Sequence, residues 1–518
     1  MRTLQTLRNA AWVLSLSGLI VMDATAAEQK RDPFFWLSEM NKASAVMVSE
    51  QGIVPKALGG KIAEAVSKVI ADGDKPGATR SGNYLIVERD LIKAGGPDVT
   101  RLHSGRSRQD IGATAQRLSM RDDFLAAFGK LGDARAVLLA MAERHPNAII
   151  PAYTWGVQAQ PITYGHYLLA YSAAFTRTAE RMREAYARLN RSPLGAAALG
   201  TSSFPVNRPR LAELLGFDGV VENSFDANQV SPIDSGAELV SLASAGALTI
   251  GALIADVTQQ YAQTQPWILM AEGELTGTSS IMPQKRNPSG LVFLRAQAST
   301  VLGHAQTFLT VAHNVSPGMS DYKPFINSTQ GDQPNNVMRE LAELYANFGA
   351  ILKTLVFNER RALAEVEADY STTTELADTL QRVADVPFRV GHHFASEVVN
   401  YGRGNNLKPT EIPYAEAQRI YAEAAETFNL SDHKLPLTEA QFRTSLSPRN
   451  MVDASQGLGG PQPSEVMRML AAEKARLADD RAWLEGSRAN LSNAARKLDD
   501  AFAQLKAANS PPNTKEAR

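Results

Sequence analysis

Three stretches of this chain gather residue types that handle carboxylates and carbon-bound protons. The longest is Gly273-Glu274-Leu275-Thr276-Gly277-Thr278-Ser279-Ser280-Ile281-Met282-Pro283-Gln284-Lys285-Arg286-Asn287-Pro288. It opens with glycines and hydroxyls, which give a segment freedom to move and donors to offer. It closes with Asn287, predicted as a helix N-cap, and Pro288, suited to the first helical position. Lys285 and Arg286 would then lie at the positive end of a helix dipole, where cations are disfavoured. The placement makes sense if an anion binds between them. A mobile loop that carries a serine and ends in an anion site fits a lid over a carboxylate substrate. The second stretch is Leu102-His103-Ser104-Gly105-Arg106-Ser107-Arg108-Gln109-Asp110. It puts two arginines, two hydroxyls and a glycine where a helix is expected to begin. Free backbone N–H groups there attract anions, and guanidinium holds a carboxylate through two bonds. Taken alone, it also fits a solvated basic turn. The third is Tyr153-Thr154-Trp155-Gly156-Val157-Gln158-Ala159-Gln160-Pro161, read as a polar, aromatic loop leading into a helix from Tyr164. Thr154, Gln158 and Gln160 can bond a polar substrate, although a structural loop is the default.

The elements that must position these stretches are helical. From about residue 112, Phe124, Phe128, Leu131, Leu138, Leu139 and Met141 recur at near-helical spacing. Further long helical runs are expected at 164–190, 235–262, 289–313 and 334–356, then at 371–405 and 464–509. Strand-like alternation is scarce. Helices this long and apolar need a bundle, and other subunits, to cover their faces. Breaks fall at Asp74-Lys75-Pro76-Gly77, Gly95-Gly96-Pro97 and the link from Gly457 to Pro463. Leu477, Leu484, Leu491, Leu498 and Leu505 fall seven apart and draw one stripe down the tail. The intervening positions Arg481, Arg488, Ala495 and Phe502 favour packing on the protein's own bundle over a coiled coil with another chain.

Composition narrows the chemistry. The 53 Lys+Arg nearly balance the 54 Asp+Glu, which argues against nucleic-acid binding. The absence of Cys excludes disulfides, zinc thiolates and thiol nucleophiles. His393 and Glu397 stand four apart, but lack further ligands at fixed spacing, so no metal is expected. The Gly457–Gly460 cluster follows no strand and is not a dinucleotide loop. Residues 1–26 read as a secretory leader: Arg2 and Arg8, then an uncharged apolar run to Met22, then Ala24-Thr25-Ala26-Ala27. The expectation is a periplasmic or secreted protein, with no membrane anchor after processing. Translation from Met22 would leave it cytoplasmic.

The residues now support a resemblance. Thr278 to Pro288 resembles the signature loop of the fumarase/aspartase superfamily. His103 to Asp110 resembles the histidine-threonine-glycine-arginine-serine-arginine-asparagine-aspartate run of argininosuccinate lyases. Ser192-Pro193-Leu194-Gly195-Ala196, Leu214 to Gly219, Glu222-Asn223-Ser224, Thr374 to Asp378 and Val386-Pro387-Phe388-Arg389 resemble the same branch. The likeness runs colinearly over roughly residues 35–475. It implies an all-α, three-domain subunit with a central long-helix bundle, assembled as a homotetramer whose active sites are shared between subunits. The implied divisions are a signal peptide (1–26), an N-terminal domain (27–111), the central bundle (112–370), a C-terminal helical domain (371–475) and a helical tail (476–518). The implied reaction is β-elimination of fumarate from an N-substituted aspartate such as argininosuccinate, a small polycarboxylate, without metal or organic cofactor. By similarity Ser279 is the base, acting as an alkoxide, supported by Lys285 and backbone N–H groups. Lys285 and Asn287 hold the substrate carboxylate. Ser107, Arg108 and Gln109, with Thr154 and Gln160, grip the other carboxylate and position the leaving group, and Tyr322 belongs to the far-end contacts.

Departures from that pattern matter. Trp155 stands where the branch has a His assigned to acid or charge-stabilising work on the leaving group. An indole has only an N–H donor and gives up no proton at neutral pH, so either the acid lies elsewhere or the leaving group needs none. Carboxymuconate cycloisomerases look similar at this one position. Gln109 replaces an Asn. The segment from Tyr322 to Gln333 matches the branch's substrate contacts only loosely and lacks their lysine. A cycloisomerase-like enzyme and a non-catalytic member of the fold are the alternatives. Export would suit scavenging of an N-substituted aspartate or related polycarboxylate better than arginine biosynthesis.

Overall fold

The computed structural model describes residues 31–313 and 333–508. The leader at 1–26 and Tyr322 therefore lie outside the described residues. The N-terminal region holds α1 (Pro33–Glu50), α2 (Lys56–Gly73) and α3 (Tyr84–Gly95). The centre holds α4 (Arg108–Arg144), β1 (Ile149–Thr154), β2 (Val157–Thr163), α5 (Tyr164–Leu189), the short α6 (Arg208–Leu214) and α7 (Ser231–Tyr261). It continues with β3 (Ile268–Met270), β4 (Gly277–Thr278), β5 (Arg286–Asn287), α8 (Ser289–Ala312), α9 (Pro334–Thr354), β6 (Leu355–Phe357) and α10 (Glu359–Glu367). The C-terminal region holds α11 (Thr373–Ala384), α12 (Phe388–Gly404), α13 (Tyr414–Thr427), α14 (Glu439–Ser445), α15 (Pro448–Ala454) and the long α16 (Pro463–Ala507). The fold is all-α, with three antiparallel two-stranded ribbons among the described residues.

Apolar residues collect in three main cores. The largest lies among α4, α5, α7, α8, α9 and the first half of α16, and the six apolar positions named on α4 all lie in it. A second joins α1–α3 to α6 and the end of α16, and a third lies within residues 370–446. Polar ties cross the central core. Buried Arg135 on α4 donates to Asp480 at 2.5 Å and to Thr176 at 2.6 Å, while Glu473 accepts from Ser172 and Thr176. The buried guanidinium is tolerable because a carboxylate and a hydroxyl take its two terminal nitrogens.

Several local expectations change. The run 371–405 is two helices, broken where Asp385 adopts φ 53° ahead of Pro387. α7 begins earlier than 235, directly after a π turn at Asp226–Val230. The division at 475/476 falls inside the unbroken α16, so the tail is the continuation of a bundle helix. Its leucine stripe packs on the chain itself. A Cβ on Gly132, Gly129, Gly216 or Gly59 would lie 3.0–3.8 Å from Leu477, Leu484, Leu491 or Leu505 respectively. Four of the five leucines thus settle over glycines, which let the helix approach closely. Gly129 and Gly132 lie on α4, and Gly59 on α2.

Candidate active site

The first stretch splits in two. Gly105 takes φ 72°, and a Cβ there would collide with Val206, so the chain turns sharply at a glycine. Arg106, expected at the anion site, is buried in the N-terminal region. Its guanidinium donates to Ser44 Oγ at 2.8 Å and Asn41 Oδ1 at 3.0 Å. Ser107 caps α4: its Oγ accepts from Gln109 N–H, and its own N–H donates to Asp110 Oδ1 at 2.8 Å. The other oxygen of Asp110 accepts from the N–H groups of Gly195 (2.8 Å) and Ala197 (3.1 Å), which hold φ 86° and 54°. Burial pushes this carboxyl up to about 6 against the pull of those donors. Asn228, in the π turn, donates to the carbonyls of Ala197 and Ala198. Asp110 and Asn228 thus fix the helix start and were not singled out from sequence, although Asp110 stood in a quoted motif. Arg108 is exposed and makes no ion pair among the described residues.

The expected loop at Tyr153 to Pro161 is instead a β-hairpin. β1 pairs with β2 from Ile149↔Thr163 to Thr154↔Val157, and Trp155 (φ 55°) and Gly156 (φ 75°) form the two-residue turn. Positive φ at both positions is the type I′ pattern. Tyr153 and Gln158 turn inward. The Tyr153 hydroxyl donates to the Glu365 carboxylate, Gln158 Nε2 donates to the Glu365 carbonyl at 3.1 Å, and Ser371 Oγ donates to Gln158 Oε1 at 2.7 Å. Thr154, Val157 and Gln160 face out, and Trp155 is 102% exposed. A left-handed conformation costs a side chain of this kind about 1 kcal/mol or more.

The third stretch is also a hairpin, formed by β4 and β5, with Gly277↔Asn287 and Thr278↔Arg286 paired. Asn287 therefore does not cap a helix. It is a strand residue, Pro288 stands at the cap position without a side-chain bond, and α8 starts at Ser289. The register brings Gly277 so near that a Cβ would lie 2.7 Å from Ser289 Oγ. In the exposed tip, Ser279 Oγ accepts from the N–H of Met282 at 3.0 Å and of Ile281 at 3.4 Å. Lys285 is exposed and makes no ion pair among the described residues, whereas Arg286 pairs with Glu272. The described residues hold no cluster suited to a metal ion, and His393 packs edge-on to Phe428.

These parts do not all meet within one chain. Ser107 caps one end of α4, and the β1–β2 hairpin follows its other end, 37 residues on. At 1.5 Å per residue that is about 55 Å. The Ser279 hairpin lies at the β1–β2 end. β3 leads into it and pairs with β6, and Phe357 of β6 stacks at 4.2 Å on Tyr164, the first residue of α5.

Comparison with known proteins adds the following. A family profile described as Lyase matches residues 38–303, and one described as Argininosuccinate lyase C-terminal matches residues 370–453. An argininosuccinate lyase from Methanocaldococcus jannaschii is 32% identical over 84% of this chain and 87% of its own length. One from Methanococcus maripaludis is 30% identical over 88% and 92%. A crystal structure of EDDS lyase in complex with formate superposes with a TM-score of 0.81 at 28% identity, covering 92% of each chain. A 3-carboxy-cis,cis-muconate lactonizing enzyme from Pseudomonas putida, at 17% identity and TM-score 0.64 over 86% of this chain and 96% of its own, shares the fold.

Proposed function

This chain belongs to the argininosuccinate lyase branch of the fumarase/aspartase superfamily and is a carbon–nitrogen lyase of that type; we propose that it eliminates fumarate from an N-substituted aspartate with Ser279 as the base. The hard step removes a proton from the carbon beside a carboxylate, leaving two negative charges on one carboxyl group. Fixed donors must carry that charge, because water does so poorly. A serine hydroxyl is a weak acid and needs its alkoxide stabilised. The observation that carries the reading is the pair of backbone N–H groups, from Ile281 and Met282, aimed at Ser279 Oγ. Lys285, without an ion pair among the described residues, supplies the cation, and Asn287 beside it holds the same carboxylate. Arg108, also without one, with Ser107 and Gln109, receives the second carboxylate, and Thr154 and Gln160 orient the nitrogen. Tyr322 keeps its proposed contact at the far end of the substrate.

A site that uses both ends of α4 needs more than one copy. We propose a homotetramer with shared sites, and two exposed faces support it. Ser241, Leu248, Ala252 and Ala255 on α7, at steps of seven, four and three, and Val292, Ala296, Ser299 and Gly303 on α8, at steps of four, three and four, form small or apolar stripes facing outward. Half of the most apolar stretch of the segment containing α7 is buried in the chain, leaving the rest for neighbours. Export remains proposed from the leader pattern of residues 1–26, and a mature chain starting near Ala27 in a periplasmic fraction is the expected finding.

The reaction is tested by supplying argininosuccinate and other N-substituted aspartates and following fumarate by its ultraviolet absorbance. Turnover that Ser279→Ala abolishes is the expected result. Equal activity in that variant would remove the serine from the mechanism, and no fumarate from any substrate would favour a non-catalytic member. Light scattering should give four times the subunit mass, which is 56.0 kDa where the leader is retained and less once it is removed. Mixing Ser279→Ala with a variant disabled at Ser107 should restore part of the activity if sites are shared.

A further inference from the structure

The elimination leaves one proton unassigned, and the hairpin that orients the leaving nitrogen has nothing to supply it. Between Ile149 and Thr163 the one titratable side chain is Tyr153, which points inward and donates to Glu365; burial and that carboxylate push its hydroxyl well above the usual range. At the α4 start, Arg108 does not deprotonate near neutral pH. Nearby His103 stacks on Tyr84 at 4.2 Å, and burial holds it down at about 4, so it carries no proton to give. An effective general acid must have a pKa near the working pH. Neither segment offers one among the described residues.

In that place stands Trp155, in a backbone conformation that disfavours it, with its ring wholly exposed at the hairpin tip. Asn or Gly suits a type I′ turn far better. Strain kept at an exposed aromatic points to use of the ring, and the face of an indole attracts cations more strongly than any other side chain's.

Resting on the elimination proposed above, we infer that the substrate is an N-alkyl aspartate whose leaving nitrogen arrives as a secondary ammonium, already protonated, and that Trp155 holds this cation on its indole face. Ser279 takes the proton from the carbon next to the distal carboxylate. The C–H electron pair becomes the double bond of fumarate, and the C–N pair stays on nitrogen. The ammonium thereby departs as a neutral amine, and the net proton released is the one on the base. A guanidinium is a poorer substrate under this scheme. It would leave as a neutral guanidine, a stronger base than an alkylamine and so a poorer leaving group, and without an acid it departs more slowly.

The test compares N-methylaspartate, N-benzylaspartate and N-(2-aminoethyl)aspartate with argininosuccinate on the full-length enzyme, measuring kcat and KM separately. The expected result is kcat/KM at least about 10-fold higher for the N-alkyl compounds. Trp155→Ala should raise their KM roughly 5- to 10-fold. Trp155→His, which introduces a group able to give a proton, should shift preference toward argininosuccinate by about 10-fold or more. Argininosuccinate as the better substrate of the unmodified enzyme, or a KM within two-fold after Trp155→Ala, would overturn the inference while leaving Ser279-dependent elimination intact. No fumarate from any of the four would overturn the elimination and this inference together.

Discussion

Ser107 and Ser279 have nearly the same local bonding and opposite surroundings. Each hydroxyl oxygen accepts backbone N–H groups from residues just ahead of it: Gln109 for Ser107, Ile281 and Met282 for Ser279. Around Ser107 the chain is pinned. Asp110 is buried beneath it and takes three backbone donors. Two turns further along α4, Arg117 donates to the last carbonyls of α5, and Arg121 donates to Asn190 and to the carbonyls of Leu215 and Gly216 while stacking on Phe217. Around Ser279 the hairpin tip is exposed and is held mainly by its own short ribbon and by the Arg286–Glu272 pair. A serine accepting amide bonds is therefore only a motif. In a buried setting it ends a helix, whereas Ser279 sits in an exposed tip whose Lys285 makes no ion pair among the described residues, the setting that the proposed alkoxide would need.

That contrast can be broken by measurement. Ser279→Ala should cut kcat by about 10²–10⁴-fold and leave the thermal midpoint unchanged; a lower midpoint with retained turnover would make it the structural serine of the two. Arg121→Ala should cost about 3 kcal/mol in chemical denaturation, since it strands buried acceptors. A cost below 1 kcal/mol would show the pinned region to be as loose as the flap. Asp123 sharpens the picture through pH. Burial raises its carboxyl to about 7, and Oδ2 is buried with no hydrogen-bond partner among the described residues. A folded-state pKa above the unfolded value favours the protonated form. The stability of the natural protein relative to Asp123→Asn should therefore be greatest below about pH 4 and fall as pH rises to about 7. Denaturation curves across pH 4–8 read this directly, and a flat difference would refute it. Ser107→Ala should lose about 1 kcal/mol of stability and raise KM with a smaller change in kcat. Lys285→Ala is expected within about 0.5 kcal/mol of the parent in stability, because its side chain is exposed.

Much of the fold was legible in the sequence. The expected starts of α5, α8 and α9 coincide with those observed, because long apolar periodicity is carried by the helix itself. The β1–β2 hairpin was not legible. Pro151 and Pro161 speak against strands, and Trp-Gly is an unusual type I′ turn. A two-stranded ribbon has only outer edges, so prolines paired opposite each other leave no ladder bond broken. Asn287 looked like a cap because caps and strand ends favour overlapping residue types, and only pairing with Gly277 decides between them. Arg106 looked like part of an anion site because nothing in a motif reveals that Asn41 and Ser44 will fold onto it.

The sequence by itself determined the helical class and the branch of the superfamily, since residue type and spacing carry those locally. The tertiary structure alone decided that Ser107 and the β1–β2 hairpin stand at opposite ends of α4. It alone turned Trp155 outward and seated the tail leucines over Gly59, Gly129, Gly132 and Gly216. The reason is that a helix is a rigid rod whose length is set by its own residues, while what faces each end and each glycine depends on how distant segments stack.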